Sequence, residues 1–323
     1  MAGITVRWRS EDGQNNATAL QVQYAAAFDA VAEVDALGHR VLHRVSGDKI
    51  TDVDRLVGVA TIRRAVTLFV GIRHLLEASA IEPCKLVIRA QFETLLAFRY
   101  LVHGGKRVVG LQTKSDARKR ESRARYFMVA AARQLIYSRQ SLLDGRWGER
   151  RVLPADRKSL KKRLKAEIVT ETARLRTQYP AQTKAFGPYR CYPARGRAVY
   201  HDFLEWYSFG FRKKNVKTVR ALAAHLGWAA EYEMLYASFS GMMHPRGISH
   251  DGKVTDGGFE VYHPYTPEAF DLLTRWACAW QMLFLAVAMH SYSPESTPDV
   301  QAIRDKIAPA LDALSARIPD GLF

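Results

Sequence analysis

Cysteine is scarce. Cys84, Cys191 and Cys278 lie far apart in 323 residues, and no C-x-x-C pair exists. That excludes a disulfide framework and a zinc knuckle and fits a reducing compartment. The start, M-A-G-I-T-V-R-W-R-S, lacks the apolar core of a signal peptide, so a cytoplasmic chain is expected. Long apolar runs are missing as well. The most apolar one, Trp276 to Met289, is too short to cross a bilayer and contains Gln281; it reads as a buried helix, with no membrane partner. No P-loop, dinucleotide fingerprint or G-x-S-x-G elbow is present, and Gly104-Gly105 and Gly257-Gly258 read as turns. His244, His250, Asp251 and His263 fall close together, but their spacing matches no ligand pattern, so neither a metal nor a cofactor is expected.

Acidic residues are in short supply in one region only. Residues 104–220 hold 30 Lys and Arg against 9 Asp and Glu, a net charge of +21. Residues 1–103 are near neutral at +1, and residues 221–323 carry −6. A concentration this strong marks a surface for a polyanion. Its cations include Arg118, Lys119 and Arg125 on one helical stretch and Arg157, Lys158, Lys161 and Lys162 on the next. A Pro/Gly/Arg-rich stretch at 180–198 follows and reads as a loop. There Tyr189 and Arg190 supply the ring and guanidinium that single-stranded nucleic acid stacks on.

Apolar residues elsewhere recur with helical period. The pattern predicts helices over 17–45, 52–79, 83–103, 115–143, 155–179, 200–210, 216–226, 228–243, 266–290 and 297–318. Asp52 or Thr51 is placed to cap the second, and Pro83 to open the third. Core positions on the 115–143 helix are read as Ala117, Tyr126, Phe127, Ala130, Ala131 and Leu135. The segment K-V-T-D-G-G-F-E-V-Y-H has a turn between alternating runs, which predicts a small β-hairpin near 253–262. The fold class expected is all-α: a multi-helix bundle in a single domain, 1–323, with a basic middle section 104–220.

Two polar stripes interrupt the apolar helices. Tyr232, Tyr236, Ser240 and His244 follow one another at four-residue spacing and share one helical face. Arg89 and Glu93 are four apart in L-V-I-R-A-Q-F-E-T-L-L. Buried polar groups need partners, so the stripes face each other or a ligand. If they meet, RNA cleavage without a metal is within reach. It needs a base for the 2′-OH, a cation for the phosphorane and an acid for the leaving oxygen. His244 serves as base or acid, Arg89 as phosphate clamp, Tyr236 and Ser240 as orienting groups, and Glu93 as the holder of Arg89 or a second base. The plainer alternative is a buried polar network that joins helices.

R-x-x-x-E at Arg89 and Glu93, Arg125-Tyr126, and Y-x-x-x-S-x-x-x-H at Tyr236, Ser240 and His244 resemble a bacterial domain-of-unknown-function family over roughly 60–250. That resemblance implies no particular activity. More loosely, the chain is similar to HEPN domains, helical modules that act as metal-independent ribonucleases in defence and toxin systems. Their Arg-to-His signature has one formal counterpart, Arg220 to His225, with Ala221 where a polar residue is usual. The reading expected is a nucleic-acid-binding protein, RNA before DNA, with an endoribonuclease site at Arg89 and His244 and room for a homodimer. The alternatives are a non-catalytic interaction module and a small-anion or nucleotide sensor using the same pocket.

Overall fold

The computed structural model describes residues 22–47, 50–104, 114–143, 154–186, 207, 216, 218–240, 252–255, 258–261, 267–294 and 297–315. Among them the chain is mostly helical. The helices are α1 (Ala25–Ser46), α2 (Val53–Glu77), α3 (Ile81–His103), α4 (Lys114–Leu143) and α5 (Pro154–Gln178). Then come α6 (Pro180–Phe186), α7 (Val219–Leu226), α8 (Ala229–Ser240), α9 (Pro267–Tyr292) and α10 (Thr297–Ser315). Strands β1 (Gly252–Thr255) and β2 (Gly258–Val261) pair antiparallel, Val254 opposite Phe259.

Contacts divide the chain into two compact units. The first joins residues 1–102 to 223–323, and the second is 103–222. The limits of the second nearly coincide with the basic section.

In the first unit α9 is the central rod, with α1, α2 and α10 against it. The reason is its composition. Phe270, Leu273, Ala277, Cys278, Phe284, Leu285 and Ala288 are buried at successive turns, and Tyr24, Val34, Phe69 and Ile72 close over the same core. By length and hydropathy alone the stretch Ala269–Tyr292 could cross a membrane, longer than the apolar run read from sequence. In the fold 67% of its most apolar window is buried, so core packing accounts for its hydropathy. Gly58 lets α2 approach it closely: a Cβ there would collide with the Tyr292 hydroxyl, which donates to the Asp54 carbonyl at 3.2 Å. α3 joins α9 through large rings instead, Phe98 on Phe284 at 4.5 Å and Phe92 on Trp280 at 5.0 Å.

In the second unit Ala124, Val129, Ala132 and Ile136 of α4, with Leu164 of α5 and Leu175 near its end, are buried. Arg139 of α4 meets Glu167 of α5 at 2.9 Å.

Several local expectations need correction. α3 begins at Ile81, two residues before Pro83, so the proline lies inside the first turn, where its missing N–H has no intrahelical role. Asp52 has N-cap backbone geometry but makes no side-chain cap bond. Residues 180–186, read as loop, form α6, opened by Pro180 at a position that suits its fixed φ. The face of α4 is turned from the one read: Ala117, Ala131 and Leu135 are exposed and Ala132 and Ile136 are buried. Small alanines on both faces blur the period of a helix so rich in cations. Leu56 on α2 is 44% exposed. The helix expected at 200–210 lies outside the described residues, apart from a buried Tyr207.

Candidate functional site

Arg89 and Glu93 sit one turn apart on α3, in a helix whose other face buries Ile88, Phe92, Leu95 and Leu96. Their side chains are 22% and 36% exposed, so they rim the core rather than enter it. The Arg89 Nε donates to Glu93 Oε1 at 3.2 Å. The same oxygen accepts the hydroxyl of Tyr236 from α8. The guanidinium carbon of Arg89 then lies 3.7 Å from the Tyr236 ring centroid. One carboxylate oxygen and one ring therefore fix Arg89 from two sides.

Tyr232 extends the arrangement. Its ring stacks on Tyr236 at 3.9 Å with planes 23° apart. Two groups this close over one ring must occupy its opposite faces. The order is guanidinium, Tyr236, Tyr232. The Arg89 terminal nitrogens make no hydrogen bond to a carbonyl or carboxylate among the described residues. They are a held fork with donors to spare, the geometry that suits a phosphate or carboxylate.

Electrostatics restrict what each group can do. Burial, then the bond to the Glu93 carboxylate, push the Tyr236 phenol well above its ordinary range. It keeps its proton at neutral pH and donates it to the Glu93 hydrogen bond. Burial works against the charge on Arg89, but its contacts with Tyr236 and Glu93 outweigh that and raise its pKa.

The 228–236 segment meets α3 at a second point that sequence reading missed. Trp228 stacks with Phe92 at 5.8 Å, and Arg99 lies over the Trp228 ring at 4.4 Å. The signal was there: Trp228 precedes Tyr232 by four residues, so the aromatic spacing began one turn earlier. Behind these side chains Gln91, fully buried, donates to Gln281 Oε1 at 3.0 Å and to the Ala277 carbonyl at 3.3 Å. The polar residue inside the apolar run of α9 thus has a partner.

The expected site residues divide as follows. Arg89, Glu93 and Tyr236 meet. Ser240 ends α8, with its side chain outside the described residues, and His244 lies outside them altogether. So do Tyr189 and Arg190, and the side chain of Arg157 on α5. Arg118 and Lys119 on α4 and Lys158, Lys161 and Lys162 on α5 are exposed. Arg125 is held by Glu121, one turn back on α4, at 2.6 Å. Its neighbour Tyr126 packs on Phe186 at 6.2 Å. Arg220 is exposed and His225 half-buried on α7.

Among the described residues no cluster of three His, Cys, Asp or Glu side chains could hold a metal ion. Cys84 and Cys278 are buried free thiols, each pushed up to about 12 by burial, which leaves them unreactive.

A family model described as "Family of unknown function (DUF5677)" matches residues 55–259, more than half of the chain, and the chain belongs to that family. The match spans α3 and α8, the two helices that build the Arg89 cluster. The likeness to HEPN domains is not shown by it. No curated protein and no solved structure matches.

Proposed function

We propose that this member of the DUF5677 family is a cytosolic nucleic-acid-binding protein that takes RNA on α4 and α5 and cuts it without a metal at Arg89, Glu93, Tyr236, Ser240 and His244. The observation that carries the binding is the collection of exposed cations on two helices of the basic unit. Lys158, Lys162 and Lys165 recur at i, i+4 and i+7 on α5, all exposed and none bonded to a carboxylate among the described residues. They follow one face for about 10 Å, at about 1.5 Å per residue. That face offers charge without competing acids, which is what a phosphate backbone recognises.

Support for cleavage is the held Arg89 fork. A phosphorane builds charge on its equatorial oxygens, and a donor fixed before the reaction stabilises that charge without reorganising. Glu93 keeps the fork aligned and Tyr236 backs it with a ring. In the reaction a base removes the 2′-OH proton, the oxygen attacks phosphorus, and the 5′-oxygen leaves with a proton from an acid. His244 takes one of these roles, and Glu93 is available for the other. Incubating the purified full chain with single-stranded RNA in excess chelator tests the reading. Cutting that persists in chelator and disappears in His244→Ala supports it. Cutting only with added Mg²⁺ or Mn²⁺, or unchanged in His244→Ala, defeats it.

One observation favours a second reading, a non-catalytic binding module. Glu93 Oε1 is the point at which α3 and α8 join, which is what a structural cross-link would provide. Under that reading Arg89→Ala loses folding stability and changes nothing else.

A further inference from the structure

We infer that α5 takes a double-stranded segment of RNA, with cations on both of its flanks set against the two phosphate backbones that border the major groove. The inference rests on the proposed RNA reading for the polymer and adds that the bound segment is paired.

α5 is buried along a narrow edge. Leu164 and Leu175 are covered, while Lys158, Lys161, Lys162, Arg163 and Lys165 are all exposed. No Asp or Glu lies between Lys158 and Ala166. At about 3.6 residues per turn these five cations do not form one line. Lys158, Lys162 and Lys165 make the crest. Lys161 and Arg163 stand on opposite flanks, about 200° apart around the axis. Glu167 meets Arg139 at 2.9 Å and reaches Arg163 only at 3.7 Å, and Arg163 stays 71% exposed.

A helix with its side chains is about 10–12 Å across. One extended strand follows one line along such a rod and meets the crest with one flank at most. Two backbones on either side of a groove meet the crest and both flanks. The major groove of A-form RNA is deep and narrow, so a helix laid across its mouth reaches both backbones without entering. The major groove of B-form DNA admits a whole helix and would turn the crest cations toward base edges instead. The exposed residues from Lys158 to Ala166 are Lys, Arg, Ser and Ala, with no Asn or Gln to pair with a base edge. Contact is therefore to phosphates, and recognition is by shape and charge rather than by sequence.

Fluorescence anisotropy titration of the full chain tests this with a short RNA duplex, one of its strands alone, and the DNA duplex of the same sequence. The RNA duplex should bind on the order of tenfold more tightly than the unpaired strand, the effect of two further exposed ion pairs. Lys161→Gln and Arg163→Gln should each weaken duplex binding and lower its log–log salt slope by about 0.9. For the unpaired strand no more than one of the two should matter. Arg163→Lys should keep duplex binding, because the charge stays on its flank. Arg304→Gln, exposed on α10, is the control for loss of a distant charge and should change nothing. An unpaired strand that binds as tightly as the duplex overturns the inference and leaves the RNA reading standing. So does duplex binding that depends on one flank alone, or tighter binding of the DNA duplex. If neither form of RNA binds, the RNA reading falls as well.

Discussion

The Tyr236 hydroxyl ends on Glu93 Oε1, the oxygen that also receives Arg89 Nε from the same turn of α3. This single atom ties a late helix to an early one across 143 residues of sequence. It makes Tyr236 a sensor of alkaline conditions. Its folded pKa is raised, so the folded state keeps the phenol proton while the unfolded state loses it above the ordinary phenol value of 10.0. The stability from this group is complete below pH 10 and falls as pH climbs towards the folded value. Thermal melts from pH 8 to 11 should show wild type losing more than Tyr236→Phe. At pH 7 the Phe variant should be less stable by about 1.5 kcal/mol, the lower end for a hydrogen bond to a charged group.

On the acid side the relevant group is Glu77. Burial would raise its pKa, but Arg73 and His74 outweigh burial and hold it below the ordinary carboxylate value of 4.5. Arg73 also reaches Asp35 of α1 at 3.0 Å, so the charge network fastens α1 to α2. Its stabilisation is complete above pH 4.5 and is lost as pH falls through the lowered folded value. Glu77→Gln should flatten the acid limb of a stability–pH curve. An unchanged limb would place the acid sensitivity elsewhere.

Gln91 and Gln281 are a buried amide pair, and the Gln91 Oε1 and Gln281 Nε2 atoms have no partner among the described residues. Replacing Gln91 alone with Leu strands the Gln281 carbonyl and should cost about 1–3 kcal/mol in urea unfolding. The double variant Gln91→Leu/Gln281→Leu should recover much of that loss, since removing both partners leaves no orphan. Additive losses would show that packing, not hydrogen bonding, governs the pair.

The basic face should bind RNA with a steep salt dependence. Each phosphate contact adds about 0.7 to the log–log slope for a single strand. Changing Lys158, Lys161 and Lys162 to Glu, with Arg157, should weaken binding and lower the slope by about 3 while helicity by circular dichroism holds. Affinity that is unchanged or insensitive to salt would remove α5 from the interface.

Arg89→Lys should reduce cleavage at saturating RNA by at least about tenfold and leave RNA affinity within about twofold, because the lost interaction belongs to the transition state and affinity lives on the basic helices. Single-turnover kinetics beside filter binding separate the two. Equal losses in both would make Arg89 a binding residue.

The sequence by itself determined the helical class, most helix limits and the place of the basic section. Apolar period, glycine stops and local charge density are properties of neighbours in the chain, and they need no partner to be read. It also showed that Arg89, Glu93 and Tyr236 were polar groups out of place on apolar helices, and the family match then covered the same stretch. Periodicity failed where it was weak. On α4 alanines line both faces, so Ile136 and not Leu135 is buried. Only the tertiary structure decided that Tyr236 and Arg89 share one oxygen, that Tyr232 lies on the far side of the ring, and that Gln91 finds Gln281 across 190 residues. Such pairings depend on how helices are rotated and spaced. The bulk of Phe92, Phe98, Trp280 and Phe284 at the α3–α9 contact sets that, and no spacing within a single helix encodes it.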